Sequence, residues 1–149
     1  MGHVSVFTFK AIGLPNGANG VHVQTPEVRY PARPASLSEY SNLDFIDIHL
    51  YPDSLNYSVD NDLASSEYSL INKQRTPLLL GEFGATPNVY STISSAAYAM
   101  KDLKNYCKNS KGFKGWLFWT WNSNQTDWYT AYQNNGAING QLAPSVWGW

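Results

Sequence analysis

The stretch Pro77-Leu78-Leu79-Leu80-Gly81-Glu82-Phe83-Gly84 decides the fold. Three consecutive leucines read as a strand buried on both faces, the habit of strands in parallel sheets that helices cover. A single carboxylate follows the run, at the strand end where a parallel barrel presents its reactive groups. Gly81 and Gly84 flank Glu82 and are expected to leave room beside it for a ligand. Two similar runs bracket this one. Upstream lies Leu43-Asp44-Phe45-Ile46-Asp47-Ile48-His49-Leu50-Tyr51-Pro52, and downstream lies Gly115-Trp116-Leu117-Phe118-Trp119-Thr120-Trp121-Asn122. Each passes from an apolar strand into polar or aromatic residues.

Outward from these runs, residues 4–9 are β-branched and aromatic with period two and read as a first strand. Residues 10–34 hold several Gly and Pro without a sustained period and read as a long loop, and 35–40 as a short helix capped by Ser36 or Ser38. Residues 43–50 form the second strand. A helix over 60–74 is expected to start at Asp60 or Asn61 and to bury Leu63, Leu70 and Ile71. After the third strand, at 78–82, residues 92–108 give the clearest helix. Ile93, Ala96, Ala97, Met100, Leu103 and Cys107 fall on one stripe, lysines gather in its C-terminal half, and Gly112 is its stop signal. Residues 116–121 are the fourth strand, and the Asn- and Gly-rich tail from Asn122 reads as mostly loop. Strands alternating with helices define an α/β chain with a parallel sheet and helical crossovers. Four such strands with helices on one face leave the other face bare. The pattern therefore calls for more structure, from an upstream segment or from a partner.

Composition narrows the function. The chain has 149 residues, one domain's worth, and a formal net charge of −1, so it carries no electrostatic footprint for nucleic acid or an acidic membrane. Six Trp and ten Tyr exceed what a core needs, and flat rings with a polar edge suit the faces of sugars. The lone Cys107 excludes an intramolecular disulfide and sits on the apolar stripe as a small hydrophobe. His3, His22 and His49 lack metal-ligand spacing, and Gly81-x-x-Gly84 lacks the rest of a dinucleotide fingerprint, so no metal or cofactor is expected. The opening residues read as a strand and lack the features of a signal peptide.

The triplet of motifs His49-x-Tyr51, Gly81-Glu82-Phe83-Gly84 and Trp116-x-Phe118-Trp119-x-Trp121 resembles the last strands of a clan A glycoside hydrolase. It is most similar to glycoside hydrolase family 5, the cellulase and mannanase group. The resemblance spans essentially residues 1–149. It implies a single domain that is the C-terminal half of a (β/α)8 barrel, with barrel strands five to eight. By the same likeness Glu82 is the catalytic nucleophile at the end of the seventh strand. Tyr51 hydrogen-bonds that nucleophile, and His49 shapes the site. Trp119 floors the subsite for the reacting sugar, with Trp121 and Asn122 as further substrate contacts. The implied activity is retaining hydrolysis of a β-linked oligo- or polysaccharide, in a secreted setting because the substrate is a polymer. The sequence departs from the family in two respects: the family's acid/base is a Glu following Asn at the end of the fourth strand, and no Asn-Glu pair occurs here, and the family's first-half arginine and histidine are missing too.

Retaining hydrolysis needs two carboxyl groups roughly 5–5.5 Å apart, one as nucleophile and one as acid and then base. Asp53 and Asp127 stand in loops at the same sheet end as Glu82 and are the local candidates for a substitute acid, although loop aspartates commonly bond their own backbone. Asp47 shares a strand face with Phe45 and His49 and reads as one half of a structural pair. Two functional classes follow. One is a half-hydrolase completed by an N-terminal half-barrel or by a homodimer partner; the other is an inactive half-barrel that binds glycan or associates with itself.

Overall fold

The computed structural model describes residues 3–7, 39, 42–63, 71–122 and 126–143. The expected loop over 10–34 and, apart from residue 39, the short helix over 35–40 lie outside the described residues.

Four strands form one parallel sheet: β1 (His3–Phe7), β2 (Phe45–Leu50), β3 (Leu78–Phe83) and β4 (Gly115–Phe118), in the spatial order β1-β2-β3-β4. The chain is thus α/β, with each strand laid beside its predecessor. On β2 strict alternation separates the faces. Ile46, Ile48 and Leu50 are fully buried on the helix side, while Phe45, Asp47 and His49 point the other way. On β3, Leu78 and Leu80 join the helix-side core.

Register then slips. Ile48 pairs with Leu80, yet His49 pairs with Glu82. On the other flank Leu80 pairs with Trp116, yet Phe83 pairs with Phe118. One extra residue, Gly81, is therefore inserted in β3 against both neighbours: a bulge. Without it, alternation from Leu80 sends Glu82 to the helix side. With it, Glu82 shares a face with His49, and Phe83 packs into the core against Phe118 (ring centroids 5.3 Å apart) and Trp116 (6.1 Å).

Helix α2 (Ile93–Lys111) covers the sheet; it follows a short α1 (Val59–Asp62) in sequence and has clear ends. Thr92 Oγ1 accepts from Ser95 N (3.1 Å), and Gly112 takes the left-handed conformation (φ 74°) that ends helices. Its buried stripe is the expected one, with Ala96, Ala97, Met100, Leu103 and Cys107, and Lys104 is buried beside it. The Lys104 ammonium donates to Leu142 O (2.8 Å) and stands 5.1 Å from the Trp116 ring centroid. Burial, and then the like charges of Lys108 and Lys101, lower its pKa.

Three expectations are corrected. The helix expected over 60–74 is confined among the described residues to α1. Ser58 caps it in place of Asp60 or Asn61, and its Oγ accepts from Asn61 N (3.3 Å). Residues 72–75 form a turn in which Asn72 Oδ1 accepts from Gln74 N and Arg75 N, a local bond that competes with helix. Asp60 instead meets the Tyr106 hydroxyl (2.6 Å) and Lys111 on α2. The tail read as mostly loop holds, among its described residues, a helix that reading did not place: α3 (Gln133–Leu142) follows β4, and Asn134, Asn135 and Gly136 at positive φ kink its start. Its remaining turns bury Ile138 and Leu142 against α2, four residues apart on one side. Finally, β4 ends at Phe118, so Trp119 and Trp121 stand in the segment beyond it and not on the strand.

Cys107 lies fully inside this helix layer, and burial pushes its thiol up to about 12. Labelling by a thiol reagent at mild pH is expected to be slow in the folded chain and rapid after unfolding, because the thiolate is the reacting species. The folded value lies above the unfolded one. This thiol therefore contributes stability that is complete below the ordinary thiol range and is lost as pH rises toward about 12. A steeper alkaline fall in Tm for the native chain than for Cys107→Ala is the expected result; equal slopes assign the loss to other groups.

Candidate active site

The site stands at the C-terminal end of the two central strands, on the face away from α2. Tyr51, just past β2, donates its hydroxyl proton to Glu82 Oε2 at 2.6 Å. His49 Nδ1 lies 3.2 Å from the same oxygen, and His49 Nε2 lies 3.1 Å from Asp47 Oδ2. Four side chains from two strands thus make a continuous line, Tyr51–Glu82–His49–Asp47. Positions 47, 49 and 51 share a face because a strand repeats every two residues, and the Gly81 bulge brings Glu82 onto that face.

Burial along the line is deepest at His49. The His49 side chain is 5% exposed, Asp47 15% and Glu82 29%, so the most exposed carboxylate is backed by a buried imidazole and a less exposed acid. Burial, then the hydrogen bond to Glu82 and the charges of Glu82 and Asp47, hold the Tyr51 hydroxyl well above the ordinary phenol range. Tyr51 therefore stays a donor at physiological pH, and its proton goes to Glu82.

The two glycines beside Glu82 do not leave room for a ligand, contrary to expectation. A Cβ at Gly81 would lie 1.2 Å from Asp47 Oδ1, so the Asp47 carboxylate occupies that space. A Cβ at Gly84 would lie 2.5 Å from Trp119 O and 3.2 Å from both the Tyr51 and Trp128 rings. Both glycines are needed for close packing of protein on protein.

The expected substrate contacts are only partly brought together. Trp119 N donates to Phe83 O (2.8 Å), which fixes the Trp119 backbone beside Glu82, and its side chain is 38% exposed. The peptide bond from Trp119 to Thr120 is cis. Trp121 and Asn122 lie farther out. Trp121 is exposed and tilts against Tyr132 (centroids 6.0 Å apart), and Asn122 is exposed in the same loop. Asp53 and Asp127, the candidates for a substitute acid, are also exposed. One site residue was missed: Trp128, whose ring meets Tyr51 edge-on at 4.9 Å. It falls in the tail read as loop, and its only sequence signal was its type, since a Trp in a polar segment needs a surface to pack on.

Among the described residues no group of three or more His, Cys, Asp or Glu is arranged to hold a metal ion, and no helix is long and apolar enough to cross a membrane. Comparison with protein-family models, with curated proteins and with solved structures returns no match to this chain.

Proposed function

We propose that this chain is the C-terminal half of a (β/α)8-barrel glycoside hydrolase, with Glu82 as the nucleophile of a retaining reaction on a β-linked glycan. The observation that carries the reading is the grip on Glu82 Oε2 by Tyr51 and His49 at the C-terminal end of a central parallel strand. The strand order supports it. A doubly wound sheet reverses its order at a switch point, whereas β1-β2-β3-β4 runs in sequence, as barrel strands do. With Oε2 held, Oε1 is the oxygen that attacks the anomeric carbon. A glycosyl–Glu82 ester forms, the bond to the leaving oxygen breaks with its electron pair, and water later hydrolyses the ester. Trp119 supplies a flat apolar face for the sugar. The acid/base comes from a preceding half-barrel or, where a second copy completes the barrel, from a replacement acid on that copy, and polymeric substrate makes a secreted setting the natural one.

This division of labour has a direct test. A dinitrophenyl β-cellobioside or β-mannobioside carries a leaving group that needs no proton, so the nucleophile can act without its acid. Without the base, hydrolysis of the ester is slow. The expected result is a burst of dinitrophenolate approaching one per chain and a glycosyl adduct on the peptide that contains Glu82, found by mass spectrometry. Absence of a burst, or an adduct elsewhere, removes Glu82 from the role.

A second reading has its own support. Leu117 is 67% exposed, Trp121 59% and Trp119 38%, an exposed apolar and aromatic group on β4 and the segment that follows it. Such a group suits weak glycan binding without cleavage, or pairing with another half-barrel. Quenching of Trp fluorescence by cello- or manno-oligosaccharides without product supports glycan binding without cleavage. A flat titration removes it.

A further inference from the structure

We infer that Asp47 is a positioning residue for Glu82, acting through His49, and that Gly81 is present to admit it. The inference rests on the reading of Glu82 given above, but its structural content is independent of turnover. Asp47 lies on β2 two residues before His49, on the same face, and its Oδ2 meets His49 Nε2 at 3.1 Å. A ring nitrogen facing a carboxylate at that distance is a donor, so Asp47 Oδ2 accepts from His49 Nε2–H and sets the plane of the imidazole. The other ring nitrogen is thereby held 3.2 Å from Glu82 Oε2, in close contact though outside hydrogen-bond alignment. Tyr51 and His49 approach the same oxygen, and together they determine how the carboxylate is turned. Donation from both ring nitrogens at once requires the imidazolium, which places one positive charge between two carboxylates.

Gly81 completes the device. Any side chain there meets Asp47, since even a Cβ falls 1.2 Å from Oδ1 and 2.1 Å from Cγ. The same residue is the bulge that puts Glu82 on the His49 face. One glycine therefore both aims the carboxylate and leaves the space that the residue behind it fills. Asp47 touches neither Glu82's attacking oxygen nor the sugar in this scheme; it acts through the ring of His49, as a supporting shell acts on a reactive group.

The experiment reads the His49 ring directly. In the nitrogen-15-labelled chain, with His49 assigned through a His49→Gln variant, long-range proton–nitrogen spectra report which ring nitrogens carry hydrogen. Asp47→Ala is expected to remove the hydrogen-bonded Nε2–H signature of His49. Asp47→Asn, whose amide oxygen still accepts, is expected to retain much of it. Gly81→Ala is expected to reproduce the Asp47→Ala spectrum although Asp47 is still present. Thermal unfolding of Gly81→Ala, Asp47→Ala and the double variant supplies a second reading. Once Asp47 is shortened the added methyl fits, so the double variant should melt well above the sum of the two single losses. Unchanged His49 nitrogens in folded Asp47→Ala, or strictly additive melting losses, overturn the inference. If Asp47→Ala does not fold, loss of the signature in Asp47→Asn as complete as in Gly81→Ala also counts against it. The dinitrophenyl burst tests the nucleophile and these spectra test the support, so the two can fail separately.

Discussion

Replacing Glu82 with Gln is expected to abolish formation of the glycosyl ester, lowering the rate of the dinitrophenolate burst by roughly 10⁴–10⁶-fold, the scale on which removal of one member of a nucleophilic unit acts. Gln is close to isosteric, and its amide oxygen still accepts from the Tyr51 hydroxyl that stands 2.6 Å from Glu82. The fold should survive, and so should any quenching of Trp fluorescence by oligosaccharide, because Trp119 keeps its backbone anchor on Phe83. What Gln lacks is the negative oxygen that attacks. Loss of the burst with binding retained is thus the expected pair of results, measured by dinitrophenolate release and fluorescence titration on the same samples. A full burst in Glu82→Gln places the chemistry on another residue, and the geometry around Glu82 then stands as structural packing.

Phe83→Ala is expected to cost about 3–5 kcal/mol, the range for emptying a buried aromatic site. Phe83 is fully buried and meets both Trp116 and Phe118 edge-on, so the cavity has rigid rings on two sides and collapses poorly. Against a typical stability of roughly 5–15 kcal/mol the loss is severe. It is read as a lower urea midpoint at unchanged slope. Leu117→Ala is the matched control on the opposite face. Leu117 is 67% exposed, so its truncation should stay within about 0.5 kcal/mol. A loss at Leu117 comparable with that at Phe83 means that this face is covered in solution, as pairing with a complementary half-barrel requires.

The two residues are neighbours in the sheet with opposite fates, and the comparison shows where sequence reading runs out. The runs around Ile46, Leu78 and Trp116 were legible as strands because buried β-rich segments bounded by turns have few other uses. Helix α2 was legible in its stripe from Ile93 to Cys107 and its stop at Gly112, while the capping role of Thr92, read as a helical residue, and the last turn to Lys111 emerged in the structure. Helix α3 was not. Its opening Asn134-Asn135-Gly136 is turn chemistry in left-handed conformation, and only Ile138 and Leu142 mark a buried side. Their partner surface on α2 is distant in sequence, so local propensity outweighed a tertiary contact that could not be read. At its described ends the expected helix over 60–74 departs for the converse reason: Asn72 bonds its own turn, and Asp60 bonds across to α2. Within the site, Tyr51, His49 and Glu82 were each visible as polar residues at strand ends, and the structure joins them.

Apolar runs spaced by a helical stripe determined, from sequence alone, that this chain is α/β with parallel strands, because periodicity is a property of neighbours along the chain. Which face Glu82 occupies was decided only in three dimensions. The register slip at Gly81 exists between strands and not within one. Across the sheet the Asp47 carboxylate fills the space that a side chain at the slipped position would need. A glycine inside a strand hints at a bulge, but its direction, and so the contact of Glu82 with Tyr51 and His49, follows from the packing of β2 on β3.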